Sequence, residues 1–444
     1  MADRTFGPLK FPAQDCLPQF KDNMPSLPRI ASTRRNFLSL AVGTGVGILQ
    51  PRSSWGASSA AREDQPYAQI DWDRCRRIGS VTHAHCRSQR SLDLLCRRGL
   101  THLAISNYYP SAPCAPTEQI GQWKVGQDFC TLKGEGYVER EFAWNEIIRD
   151  PETGWFDELP TAMQEKMPFQ SEKPCFTQIL PEVILCPNAE HHSMTDCNGH
   201  FNAVGSNFAS GTFDVRSYYK LNNHGYAMGT GMPWREAFGR MLDGLQFADG
   251  GGITINHPKW SHASPKQIME FLDFDPRVMG IEIWNSTAEF LSQTGWSLDE
   301  WDAVLATGRR CYGFSVSDHA HNSDPAFQGR NVLLVDAATP ASEMPAACLR
   351  AYRNGNFYAS LDGVLELKRF HCSADGKLDV EISGGPSKLR VLSAKGVVHE
   401  QAGESISWAL PEGKSSAQEH VYLRVEADQV DGDDRLLTQA IQLV

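Results

Sequence analysis

The feature that most constrains this chain is a unit repeated from residue 76 onward: a short apolar run that breaks into a polar cluster rich in His, Asp, Glu or Asn. Residues 78–81 lead to His83 and His85, 103–106 to Asn107, and 183–186 to Glu190. Residues 253–255 lead to His257, 281–284 to Asn285, and 312–316 to Asp318, His319 and His321. Helical patterns fall between several of these runs, at 87–98, 234–247, 265–272 and 298–306. Alternation of short apolar strands with helices predicts parallel βαβ units. Functional groups gathered at the C-terminal ends of such strands are what a TIM-type barrel presents.

The clusters have the composition of a metal site. In His83-Ala84-His85 the i, i+2 spacing turns both imidazoles to the same side of an extended strand, where two neutral nitrogens can reach one ion or two adjacent ions. A lone pair of this kind is more often structural. Asp318-His319-Ala320-His321 is a stronger signal, because three donors crowd one strand end. His257 precedes Pro258, which stops its strand; Glu190 adds a carboxylate, with His191 and His192 beside it; and His200 follows Gly199. Any one of these is unremarkable on a surface, but together they predict a metal centre.

Other stretches carry less chemistry. Residues 109–180 are rich in aromatics (Tyr109, Trp123, Tyr137, Phe142, Trp144, Trp155, Phe156), consistent with a helical elaboration or with a cap over the site. Residues 201–232 read as a second long loop. Lys259 and Arg87 each stand two residues past a candidate ligand histidine and are the candidate catalytic cations for an anionic substrate; a lysine there is commonly only solvated. Beyond about Leu365, runs at 368–372, 378–382, 388–392, 405–410, 420–426 and 439–444 alternate with Gly, Pro and Asp turns. They predict a small antiparallel β domain over 365–444.

The first 61 residues are of another kind. Ser32-Thr33-Arg34-Arg35-Asn36-Phe37-Leu38 precedes a weakly apolar run to about Leu49 and small residues at Ala57-Ser58-Ser59-Ala60-Ala61. This resembles a twin-arginine export signal, recognised by the twin-arginine machinery, which implies a periplasmic or secreted protein carried across already folded. The long lead before the arginines leaves Met24 as an alternative start. An apolar run this short does not make a stable membrane anchor. Residues 1–61 carry 7 basic and 3 acidic side chains, so their removal takes the formal charge from -11 to -15. That balance argues against a nucleic-acid partner. The 12 cysteines include no CxxC pair, which argues against a zinc ribbon, and cleavage near Ala60 or Ala61 leaves eleven, an odd number.

In order, these motifs resemble the PHP (polymerase and histidinol phosphatase) superfamily, over about residues 76–362. The family order is His-x-His, Thr-Asp-His, Gly-x-Glu, an intermediate His, His-Pro and a late Asp/His pair. His83-Ala84-His85 matches the first, Asn188-Ala189-Glu190 the third, His200 the fourth (with His192 a competitor), His257-Pro258 the fifth and Ser317–His321 the last. The segments 280–285, 301–308 and 354–360 resemble the exported, carbaryl-hydrolase-like branch. The resemblance implies a distorted TIM-like (β/α)7 barrel at 62–364 followed by the β domain. The implied ligands of a divalent metal are His83, His85, Glu190, His200, His257, Asp318, His319 and His321. The second motif departs from the pattern, reading Ser106-Asn107-Tyr108 where relatives carry Asp and His. The late Asp-x-His falls on Ala320, leaving either Asp318 with His321 or His319 as the donors. Loss of two ligands implies one or two ions (Zn, Mn or Fe) instead of three. The implied activity is hydrolysis of a small-molecule ester by metal-activated water, first of all a phosphoester. A carboxylester or carbamate hydrolase, or a non-catalytic exported metal- or ligand-binding protein, are the alternatives.

Overall fold

Short apolar runs become strands in the computed structural model. It describes residues 65–86, 89–106, 130–133, 136–139, 178–192, 194, 196–206, 208, 233–323, 327–373, 375–411 and 416–443. The leader with Arg34 and Arg35, the candidate Arg87, the pair Asn107 and Tyr108, and most of the aromatic stretch 109–180 lie outside the described residues.

Strand β1 (Cys75–Val81) leads through α1 (Gln89–Arg97) to β2 (Leu100–Ala104). After a two-stranded ribbon of β3 (Cys130–Lys133) and β4 (Gly136–Glu139) comes β5 (Ile184–Cys186). β1, β2 and β5 pair in parallel. A second sheet begins with β6 (Glu190–His191) and β7 (Phe201–Val204), continues past α2 (Trp234–Asp243) to β8 (Gly252–Ile255), and past α3 (Pro265–Leu272) to β9 (Val278–Asn285). Then α4 (Ser286–Ser292) and α5 (Leu298–Leu305) precede β10 (Tyr312–Val316). β8, β9 and β10 are parallel, whereas β7 pairs antiparallel with both β6 and β8. Gly280 stands where β9 passes closest to β10: a Cβ there would lie 1.9 Å from the Tyr312 carbonyl oxygen.

The helices form where the 3.6-residue period places one apolar stripe. α2 buries Trp234, Ala237, Phe238, Met241 and Leu242, positions that share a face. α3 starts at Pro265 behind Ser264, whose hydroxyl accepts from the Gln267 amide at 3.2 Å, a standard N-cap with proline in the first turn. Its Phe271 meets Trp234 and Phe201 edge-on at 4.9 and 5.0 Å, the arrangement the ring quadrupoles favour. These helices therefore seal one face of the second sheet.

Beyond α6 (Ala320–Ser323) come β11 (Arg330–Asp336), α7 (Met344–Arg353) and β12 (Phe357–Ser360), with β11 antiparallel to both β1 and β12. The C-terminal residues give β13 (Glu366–Cys372), β14 (Lys377–Ser383), β15 (Ser387–Ser393), β16 (Gly396–Gly403) and β17 (Ser405–Ala409). Past α8 (Ser416–His420) lie β18 (Tyr422–Gln429), β19 (Arg435–Leu437) and β20 (Ile441–Gln442). All their pairings are antiparallel. β13, β14 and β17 form their own sheet, but β19 pairs with β12, so β15, β16, β18 and β19 extend the sheet of β1. Buried Arg424 ties the C-terminal strands to α5: its guanidinium forks onto Asp302 at 2.9 and 2.8 Å and lies 4.7 Å over the Trp301 ring.

The architecture is mixed α/β, as expected, but the described strands make separate sheets and do not close a (β/α)7 barrel. The reason is edge usage. β1 gives one edge to β11 along 75–80 and the other to β2, so β10 meets it only past its tip, at an Ala84–Asp318 bridge. The segment 201–232 is also corrected at its start: Phe201–Val204 is a fully buried strand paired with β8, because Phe201, Ala203 and Val204 are apolar and have a partner edge. No helix among the described residues is long and apolar enough to cross a membrane. Cys75, Cys86, Cys96, Cys186, Cys197, Cys311, Cys348 and Cys372 stand outside any disulfide.

Candidate metal centre

The seam between the two sheets is where the candidate ligands meet. Past the tip of β1, the Asp318 amide donates to the His83 carbonyl at 2.9 Å and the His85 amide to the Asp318 carbonyl at 3.2 Å. Ser106, after β2, donates its amide to Ala84 and accepts from the Glu190 amide, each at 3.0 Å. Backbone pairing alone thus sets His83, His85, Glu190 and Asp318 side by side. Asn188 and Asn202 finish the seam by donating to the Thr82 carbonyl at 2.8 and 2.9 Å. The buried backbone acceptor that the gap between sheets would orphan is satisfied.

The donor atoms converge tightly. His83 Nε2 lies 3.2 Å from His85 Nε2, 3.3 Å from Glu190 Oε2 and 3.2 Å from Asp318 Oδ1. His85 Nε2 lies 3.0 Å from the same glutamate oxygen and 3.3 Å from the same aspartate oxygen. The other glutamate oxygen, Oε1, faces His200 Nδ1 at 3.0 Å and His257 Nε2 at 3.3 Å. Glu190 therefore offers one oxygen to each of two donor sets. His83, His85, Glu190, His257 and Asp318 are all buried.

Two of these residues have left-handed backbones that side chains rarely adopt: His257 at φ 27° and Asp318 at φ 56°. Such conformations persist where surrounding structure over-determines them, and they collect at functional sites. Here the Asp318 amide is held by the segment past β1, and the His257 amide donates to Glu282 Oε2 at 2.8 Å.

Electrostatics shows what the cluster lacks. Burial opposes charge on His83, but Asp318, Glu190 and Glu282 outweigh it and hold the imidazole well above its ordinary range. Burial likewise opposes charge on Glu190 and Asp318, and the positive His83 with neighbouring histidine hydrogen bonds pulls both well below the usual carboxylate range. Three buried carboxylates thus need compensating positive charge at their centre. A proton on histidine supplies it, and so does a dication.

The donor set fits such an ion. Two ligands about 2.0–2.2 Å from one ion and roughly a right angle apart lie about 3 Å from each other, which is the spacing between His83 and His85 and from each of them to Glu190 and to Asp318. The triplets His83, His85, Asp318 and His83, Glu190, His257 each keep their donor atoms within 4.8 Å. Buried His, Asp and Glu groups here can hold a metal ion.

The other expected residues take varied places. His200 joins the cluster through Glu190, at its partly open side. His319 stacks flat on His85 with ring centroids 3.7 Å apart, and its Nε2 is 3.7 Å from Asp318 Oδ1, at the rim. His321 is not drawn into the close donor pairs: it is buried 3.4 Å from Ser317 Oγ and against Phe327, and burial lowers its pKa to about 3. Asp318 is thus the late-motif residue in the close donor groups, whereas His321, in α6, lies beside the backbones of Asp318 and His85. His192 is half-buried, its ring 5.3 Å from the His200 ring, and desolvation lowers its pKa to about 3. Lys259 is exposed. Arg87, Asn107 and Tyr108 lie outside the described residues.

The sequence reading gave Asn285 as a strand-end residue and Glu282 only within a resembling segment, assigned neither a role at the site, and missed Asn256 and Trp260. Glu282 Oε1 is 2.7 Å from His83 Nδ1, Asn285 Nδ2 is 3.2 Å from Asp318 Oδ2, and Asn256 Nδ2 is 3.2 Å from Glu190 Oε1. The Trp260 ring stands edge-on to His257 at 4.9 Å and to His200 at 5.7 Å. The available signal for Glu282 was a lone carboxylate inside an otherwise apolar strand. Comparison with protein-family models, with curated proteins and with solved structures gives no match.

Proposed function

We propose that this chain is a metal-dependent hydrolase of small-molecule esters, acting first of all on a phosphoester. The observation that carries this reading is the double-faced Glu190, with His83 and His85 at one oxygen and His200 and His257 at the other, while Asp318 meets the same His83 and His85 from its own side. A carboxylate shared between two donor sets suits a pair of divalent ions of the Zn, Mn or Fe kind, and paired ions recur in phosphoester cleavage. When bound, such ions supply Lewis acidity, polarising the oxygen of an ester and making water nucleophilic near neutral pH. His83, His85, Glu190, His257 and Asp318 would hold such ions, with Glu282 behind His83, and their burial would keep bulk water from the centre. Trp260 and His319 form the partly open rim through which a substrate enters.

The order of motifs, similar to that of the PHP superfamily, supports the same reading, with the two sheets as a distorted, open form of its barrel and the leader as a twin-arginine export signal. A second reading, hydrolysis of a carboxylester or carbamate, draws on the exposed Lys259: no Lys or Arg forms an ion pair with the site carboxylates among the described residues. The test is turnover of p-nitrophenyl phosphate beside p-nitrophenyl acetate, with and without a chelator. Chelator-sensitive release from phosphate alone supports the first reading, release from acetate alone the second. Turnover indifferent to chelation contradicts both.

A further inference from the structure

Glu282 is none of the converging donors, yet it reaches both histidine arms that approach Glu190. It lies inside β9 and is fully buried. Its Oε1 is 2.7 Å from His83 Nδ1, and its Oε2 accepts from the His257 amide at 2.8 Å and from Asn285 Nδ2 at 2.9 Å. Asn285 in turn lies 3.2 Å from Asp318 Oδ2 and caps α4 by accepting from the Ala288 amide at 2.9 Å. Donors from three other segments, after β1, β8 and β10, are thereby tied to a strand that supplies no donor.

The chemistry of each contact is specific. A carboxylate only accepts, so it keeps a proton on His83 Nδ1 and leaves Nε2, which faces His85, Glu190 and Asp318, with its lone pair toward the centre. His257 is held differently. Its Nδ1 is engaged by Ser261 Oγ at 3.1 Å, which turns Nε2 toward Glu190, and its left-handed backbone is held through the amide that Glu282 accepts. One side chain thus selects the tautomer of one histidine and holds the strained backbone of another.

We propose that Glu282 is a positioning residue that sets both donor sets of the metal centre at once. This rests on the reading of the cluster as a metal centre. Glutamine is the informative replacement because it matches the shape. If its amide nitrogen faces His83, Nδ1 must accept and the proton moves to Nε2, which blocks the donor. If it faces His257, two N–H donors confront each other. The purified full chain, stripped with a chelator, is titrated with Co2+ alone while visible absorption is followed, for wild type, Glu282→Gln and Glu282→Asp. Melting of each stripped protein is measured in parallel.

E282Q is expected to bind Co2+ about 10- to 100-fold more weakly with an altered absorption band, while its stripped form melts within a few degrees of wild type. E282D keeps the charge but is one carbon shorter, so it is expected to bind at an intermediate level; it carries the test should E282Q not fold. Wild-type uptake with unchanged affinity and spectrum in the folded variants overturns the positioning role alone. A wild-type chain that takes up no Co2+ overturns the metal-centre reading and this role with it.

Discussion

Asp318 stands beside His83 because their backbones are paired: the Asp318 amide donates to the His83 carbonyl at 2.9 Å, and only then do Oδ1 and Nε2 come within 3.2 Å. The approach of donor to donor is built by the seam between two sheets and does not depend on side-chain attraction. Replacing Asp318 with Asn should therefore leave the seam intact while removing a charge from the centre. The expected outcome is loss of ester turnover by at least about 100-fold, with a melting temperature within a few degrees of wild type. Steady-state kinetics and thermal melting of the same preparation check both halves.

Acid should weaken the fold through His102. This residue is wholly buried, its Nδ1 2.8 Å from Ser80 Oγ, and burial lowers its pKa to about 4. The folded pKa is depressed below the unfolded value of about 6.5, so the folded state takes up this proton less readily. Stability from this group is complete above pH about 6.5 and is lost as pH falls toward about 4, at up to about 1.4 kcal/mol per pH unit. His102→Gln should flatten the stability profile in that window by close to one proton. Urea unfolding at several pH values measures it, and an unchanged slope would show that His102 titrates normally.

The C-terminal strands supply a control that separates fold from site. Arg424 is buried between Asp302 and Glu426. Arg424→Ala leaves buried Glu426 short of a partner and uncovers Trp301, so it should cost about 3 kcal/mol or more. Metal content per folded chain should stay as in wild type. Denaturant unfolding with elemental analysis tests this, and a loss of metal without a loss of stability would contradict it.

Much of this arrangement was legible in the residues, for identifiable reasons. Apolar runs ending in His, Asp or Glu marked β1, β5, β8 and β10, because a buried strand is mostly apolar along its length and polar donors are most readily gathered at or past its end. The helices at 234, 265 and 298 were legible from their 3.6-residue stripes. What the residues did not disclose was pairing. Nothing local says that β11 would take the edge of β1 and prevent a closed barrel, or that β19 would join β12. Phe201–Val204 was hidden among glycines and asparagines, and Gly396–Gly403, which runs through His399, Glu400 and Gln401, lacks the apolar alternation of a strand. The site was legible in its donors but not in its supports. Glu282 makes contacts 199 and 25 residues away in sequence, and the residues did not disclose that Asp318, and not His321, would join the close donor groups.

Export through the twin-arginine route should depend on the paired arginines. With Arg34 and Arg35 both changed to Lys, the full chain should accumulate inside bacteria that carry the twin-arginine machinery, whereas the unaltered chain should reach the periplasm shortened to begin near Ala61. Cell fractionation with N-terminal sequencing checks it. Equal distribution of the two forms would contradict the reading.

The most direct test of the central claim is elemental analysis of the purified chain after exhaustive dialysis, run beside Glu190→Gln. Replacing that bridging carboxylate leaves a neutral amide between the two donor sets. The account predicts one or two divalent ions per wild-type chain, since Asn107 and Tyr108 stand where the PHP pattern that the chain resembles has Asp and His, and fewer in the variant. No ion in the wild type, three ions, or an undiminished count in Glu190→Gln would contradict it.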